Sequence, residues 1–397
     1  MTTFKDFALP EALQHKLGAL GFDTPTPVQE RAIPAALEHR DILGSAQTGT
    51  GKTAAFSIPL LTKIMNHADV YGIIVTPTRE LALQVDEQIR AFLSAKSKIR
   101  SVVLIGGASI ERQVQALGKR PKIIVGTPGR IIDHLERKSL DLSGFNYVVL
   151  DETDRMLDMG FSAPIAEIFS HVSEERQTLL FSATLPKNIQ KISAQYLQNP
   201  VRIEMGQVNS VGDNIVQSTQ FVSKDGKFEM LVDALREHDQ SAIVFMNSKF
   251  ATEKMAKRLK SAGITAEAIH GDLRQSKRER VISNLRDNKF RVLVATDVAA
   301  RGIDVPHIHQ VINFDLPRQT EDYIHRIGRT GRNGAQGIAL NLATRDDMEK
   351  LNEIERLINP KAAKLAHKRP AGKPARKKPQ AKGRWGTKNQ IAPARRD

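Results

Sequence analysis

The sequence predicts an α/β protein of two tandem domains, each built on a mainly parallel sheet wound by helices, followed by a basic tail that is disordered on its own. Three observations predict it. The chain has 397 residues, 40% of them hydrophobic, more than a single core commonly absorbs. Short apolar runs rich in β-branched residues alternate with segments long enough for crossover helices, and the alternation restarts once. Beyond Pro360 the composition shifts to Lys, Arg, Pro, Ala and Gly, with Trp385 the only aromatic residue.

In chain order, the first series comprises Gly72–Thr76, Val102–Ile105, Lys122–Val125, Tyr147–Leu150 and Thr178–Phe181. Continuous apolar runs of this length read as strands buried on both faces. Residues 79–95 and 186–197 supply helices, and strand–helix–strand connections imply parallel neighbours. From Met205 to Asn214 Gly, Asn and Ser gather without periodicity, as in a linker. The pattern resumes with Ala242–Phe245, Ala266–Ile269, Val292–Ala295 and Gln310–Phe314. The expected boundaries are a first domain over 1–205, a linker over 206–214, a second domain over 215–360 and a tail over 361–397.

The formal charge of +15 suggests a polyanionic partner, but its position says more than its total. The tail holds 13 Lys and Arg against one Asp, leaving only +3 for residues 1–360. An almost neutral, enzyme-like body with a basic arm differs from a uniformly basic coat protein. Zero cysteines exclude disulfides, thiol nucleophiles and cysteine zinc sites. No stretch approaches about 18 consecutive apolar residues, and Met1–Asp6 lacks the basic and apolar regions of a secretory signal. A soluble, cytoplasmic protein without a membrane partner is the expectation.

Ala46-Gln47-Thr48-Gly49-Thr50-Gly51-Lys52-Thr53 has the spacing of a phosphate-binding loop, with Ala46 where glycine is usual. Gly49 and Gly51 let backbone amides turn toward phosphate, and the following helix offers its positive end. Lys52 is placed to meet the β- and γ-phosphates, and the Thr53 hydroxyl to complete a Mg²⁺ shell. A glycine-rich turn would use the same glycines, yet turn chemistry alone gives little reason for Gly-Lys-Thr. Asp151-Glu152-Thr153-Asp154 follows an apolar strand, and α/β sheets bind ligands at the carboxyl ends of strands. There Asp151 and Glu152 suit metal chemistry, with Glu152 orienting or deprotonating the attacking water.

With Ser182-Ala183-Thr184, the run His325-Arg326-Ile327-Gly328-Arg329-Thr330-Gly331-Arg332 and the upstream Gly21-Phe22-Asp23-Thr24-Pro25-Thr26-Pro27-Val28-Gln29, the chain resembles a DEAD-box RNA helicase. The resemblance spans roughly residues 4–345 and is strongest to the bacterial RhlE-like subgroup. One departure stands out: Thr153 replaces the Ala of the name-giving tetrad, and it reads as a small tolerated change. The resemblance implies two RecA-like domains. It also implies an adenine-reading segment that includes Phe22, Thr24 and Gln29, with the aromatic Phe4 placed 17 positions before Gly21. An amide can donate to and accept from an adenine edge while a ring stacks on the base, which points to ATP.

The resemblance further implies that Arg329 and Arg332 reach the γ-phosphate across the interdomain cleft, and that Asp304 senses nucleotide. His325 would link the second domain to Asp154 and the Ser182-Ala183-Thr184 segment. RNA contacts are implied at Pro77, Thr78, Arg79, Gly107, Thr127, Pro128, Gly129, Arg130, Gly271, Gln275, Arg278, Thr296 and Asp297. Such groups grip phosphate and sugar without reading sequence. The expected function is RNA-stimulated ATP hydrolysis, with Mg²⁺, coupled to local unwinding or remodelling of short duplexes and of ribosomal or RNA-decay ribonucleoproteins by a monomer. An ATP-gated RNA clamp or annealing factor is the alternative. The basic tail would add salt-sensitive RNA affinity.

Overall fold

In the computed structural model, the C-terminal ends of parallel strands place the candidate motifs on common edges of two sheets. The structure describes residues 2–358 apart from 47–48, 206–213, 301–302, 304, 306 and 332–334. Except for Asn214, the expected linker and tail therefore lie outside the described residues.

The first sheet contains β1 (Ile42–Ser45), β2 (Gly72–Val75), β3 (Ser101–Leu104), β4 (Ile123–Gly126), β5 (Tyr147–Leu150), β6 (Gln177–Ser182) and β7 (Val201–Glu204). Their order is β3-β4-β2-β5-β6-β1-β7, and all the pairs are parallel. Alternate residues face opposite cores: Val149, Leu179 and Ile42 enter one, while Val148, Leu150, Leu180 and Leu43 enter the other. That two-sided burial explains the continuous apolar runs. Because β5, β6 and β1 are neighbours in the order given, the segments after Leu150, Ser182 and Ser45 emerge side by side.

The second sheet contains β8 (Ile215–Phe221), β9 (Ala242–Phe245), β10 (Ala266–Ile269), β11 (Val292–Ala295), β12 (Gln310–Asn313) and β13 (Gly337–Ala343). Its order is β10-β11-β9-β12-β13-β8, again parallel throughout. Helices Arg79–Phe92 and Lys187–Tyr196 fill the segments where the sequence called for them. Four strands lie outside the predicted apolar runs: β1, β7, β8 and β13. Strands β7 and β8 end their sheets, and β8 is exposed along nearly its whole length, so neither needs a continuous apolar run. In β1 and β13, Gly44 and Asn341 are buried but break the run of apolar side chains.

Candidate nucleotide and nucleic-acid site

The turn after β1 delivers Lys52 as the first residue of helix Lys52–Asn66. Gly51 precedes it at φ +91°, and a Cβ there would stand 2.2 Å from Gln29 Nε2, so both backbone conformation and space require glycine. Gln29, 3% exposed, accepts from Thr26 N at 2.9 Å and donates from Nε2 to Gly51 O at 3.1 Å. Thr26 Oγ1 donates to Thr50 O at 2.8 Å. The amide thus braces the phosphate loop while keeping one donor and one acceptor site for an adenine edge. Lys52, 6% exposed, donates to Ala46 O at 2.8 Å. Gly49 also takes a positive φ, while Thr53 is half-buried and Thr24 exposed. Gln47 and Thr48 lie outside the described residues.

Phe4 departs from its expected stacking role. It is 3% exposed and meets Phe7 and Phe22 edge-on at 5.7 Å, so its ring is packed as core without an open face for a base. Phe22, half-buried above it, keeps part of its ring accessible.

Asp151 and Glu152 follow β5 and are 2% and 4% exposed. Burial pushes the Asp151 carboxyl up to about 6, opposed by the Lys52 ammonium and reinforced by Glu152. Burial acts on Glu152 in the same direction, but the guanidiniums of Arg155 and Arg329, with Lys52 and His325, outweigh it and hold that carboxyl down at about 2. Arg155 Nη1 lies 2.8 Å from Glu152 Oε2 in a pair almost closed to solvent. Among the described residues no group of three or more His, Cys, Asp or Glu could by itself hold a metal. A buried acid beside a lysine and a threonine instead suits a cation that takes its remaining ligands from water and phosphate, as Mg²⁺ does.

Asp154 ties this loop to the one after β6. Its Oδ2 accepts from Ala183 N and Thr184 N, each at 3.0 Å, and from Thr184 Oγ1 at 3.1 Å. Ser182 Oγ donates to Thr184 O at 2.6 Å. The unusual Thr153 leaves this network intact, because its hydroxyl turns to the carbonyls of Phe181 and Leu150 at 3.1 and 3.3 Å.

The second domain brings His325 and Arg329 to the same place. Burial first, then the Arg155 guanidinium, depress the His325 pKa against the pull of Asp154 and Glu152, so the ring is neutral at physiological pH. Arg329, 4% exposed, donates to His325 O and Ile303 O at 3.1 and 3.0 Å. Arg332 and Asp304 lie outside the described residues.

On another stretch of the domain boundary a groove of about 410 Å³ is lined by Pro77, Thr78, Arg79, Thr127, Gly129 and Arg130 of the first domain and by Gly271, Arg278 and Val298 of the second. Burial, then the neighbouring Arg278, and also Arg130, lower the Arg79 pKa, as expected where cations crowd without enough anions. A Cβ on Gly107 would approach Arg79 Nη1 to 2.5 Å. Pro128 opens helix Pro128–Glu136 behind Thr127.

Three of the expected RNA contacts are paired with other side chains in this structure. Arg326, 1% exposed, clamps Asp297 through two bonds of 2.5 and 2.8 Å, so this carboxylate secures the second domain, and it would repel a phosphate. Arg278 Nε donates to Glu80 Oε1 at 2.8 Å, and Gln275 Oε1 accepts from Arg79 at 3.5 Å. Both join the domains in this structure. Half-buried Thr296 sits at the end of β11. Sequence reasoning gave no individual role to Glu80, Arg155 or Arg326. The charge directly after the acidic tetrad could have flagged Arg155, whereas the Glu80–Arg278 partnership has no local signal.

A family model described as DEAD/DEAH box helicase matches residues 26–192, and one described as helicase conserved C-terminal domain matches residues 226–334. The DEAD-box ATP-dependent RNA helicase CshA of Geobacillus kaustophilus is 43% identical over 367 residues, 92% of this chain and 78% of that protein. The structure of S. cerevisiae Dbp5 bound to RNA and ADP BeF3 overlays with a TM-score of 0.82 at 32% identity, covering 90% of this chain and 94% of that one. A DEAD box protein from Methanococcus jannaschii is more similar in sequence, at 39%, but overlays at only 0.54, with 90% and 98% covered.

Proposed function

The chain belongs to the DEAD-box family of ATP-dependent RNA helicases, and from that premise we propose that MgATP and RNA jointly hold its two domains together, with hydrolysis releasing them. The carrying observation is that one domain boundary contains both chemistries: His325 and Arg329 beside Glu152, and Arg278 on Glu80 beside the groove. A ligand that favours this arrangement from either side favours the other ligand.

On this reading Lys52 neutralises the β- and γ-phosphates, while Thr53 and Asp151 would hold the cation. Mg²⁺, when bound, supplies charge neutralisation at the phosphate oxygens. Glu152, kept ionised by Arg155, orients the attacking water. Arg329, with Arg332 in the expected role, stabilises negative charge on the transferred group. Gln29 selects adenine through its remaining donor and acceptor. Asp154, through Ala183 and Thr184, transmits the state of the acidic loop to the loop after β6.

Arg79, Arg130 and the turns around Thr78, Thr127 and Gly271 hold the sugar–phosphate backbone, which gives affinity with little sequence preference. On this reading, closure of both domains on one strand separates a short helix locally. The protein acts on RNA as a cytoplasmic monomer, and no helix among the described residues is long and apolar enough to cross a membrane. Strand release from a short RNA duplex, followed with ATP and with a non-hydrolysable analogue, tests this reading. Release with ATP is expected. Tight ATP-dependent binding without release would instead establish a clamp.

A further inference from the structure

Phe250 is 79% exposed, the most exposed of the large apolar side chains described. A single exposed apolar residue is ordinary on a protein surface, so its position is what carries information. Helix Lys249–Ser261 buries Thr252, Met255, Ala256 and Leu259, a complete helical stripe, and Phe250 lies off that stripe. The core has no use for this ring.

The first turn of the helix lies next to Gly271, one of the residues that line the groove. Ser248 caps it by accepting from Ala251 N at 3.1 Å. Lys249 Nζ lies 2.6 Å from Asp272 Oδ1, and Lys249 Cε would be 3.9 Å from a Cβ on Gly271. Gly271 itself lines the groove shared with Arg79 and Arg130. Phe250 follows Lys249, with its Cα about 3.8 Å further along the chain. A strand held through its phosphates by guanidiniums leaves its base faces uncovered, and an aromatic ring exposed one residue from Lys249, whose side chain reaches Gly271, offers a sequence-tolerant surface for one of them.

We propose that Phe250 is a base-stacking platform at the second-domain end of the groove, taking one unpaired base of single-stranded RNA. The proposal rests on the reading of the groove as an RNA track. Stacking there adds affinity for unpaired strands over duplex, because a base still inside a helix has no free face to offer.

The test uses the full chain with a non-hydrolysable ATP analogue and labelled single-stranded RNA. Phe250→Ala is expected to raise the RNA concentration for half-binding by roughly 5- to 100-fold, the range of one lost base–aromatic stack. RNAs carrying one abasic nucleotide, moved along the strand, should include a position that weakens the parent protein but not the Phe250→Ala protein. Phe250→Trp in a Trp385→Phe background leaves one tryptophan, and it should restore affinity with emission quenched by RNA. Unchanged affinity of Phe250→Ala, equal sensitivity to abasic sites, or unquenched emission while RNA binds would each overturn the proposal and leave the groove reading standing. Failure of the parent protein to bind RNA at all would remove both.

Discussion

Asp151 and Glu152 are adjacent, both buried, and pushed in opposite directions: one carboxyl to about 6, the other to about 2. The difference lies in their neighbours, since Glu152 faces Arg155 and Arg329 whereas Asp151 has mainly Lys52 against its own desolvation. Without a bound cation, folding therefore favours protonated Asp151. That stabilisation is fully present below the ordinary value of 3.8 and is lost as pH rises through about 6. Asp151→Asn, which keeps an acceptor for Glu152 N, should match the parent protein near pH 4 in metal-free thermal melts. Near pH 8 it should be more stable by on the order of 2 kcal/mol. A difference that ignores pH would mean Asp151 is not strained by its burial. The placing of the two acids at the carboxyl end of β5 was legible in the sequence. The position of Phe4 was not, because a ring at a familiar spacing can serve either as core or as a stacking face.

At the scale of elements, the parallel strands buried on both faces announced themselves through continuous apolar runs. The edge strands β7 and β8 did not, since one open side removes the need for such a run. Contacts across the domain boundary were the least legible feature. Arg278 and Glu80 are 198 positions apart, and each sits in a segment that the resemblance marked for RNA contact, with Arg278 named and Glu80 not. Their side chains are 6% and 5% exposed, so removing one leaves the other desolvated without its partner whenever the domains meet. Glu80→Gln should weaken RNA binding at least tenfold in the presence of an ATP analogue and much less in its absence. Reversing both charges, Glu80→Arg with Arg278→Glu, should recover part of the loss. An equal loss with and without nucleotide would place the pair outside the closing step.

For the whole molecule, the overlay with an RNA- and nucleotide-bound relative at 0.82, against 0.54 for a relative of higher identity, fits a two-domain protein whose likeness depends on how the domains are set as much as on their sequences. Motif order across both domains made the family legible. The joining of the nucleotide site to the groove was not, because it arises only when β5 and β6 of one sheet and the His325 segment of the other share a boundary. The central claim is that this boundary couples the two ligands, and steady-state ATP hydrolysis with and without single-stranded RNA tests it most directly, with DNA of equal length and Glu152→Gln as controls. The account predicts a turnover that rises with RNA, rises far less with DNA and is abolished by the substitution; a rate unchanged across a saturating RNA titration would contradict it.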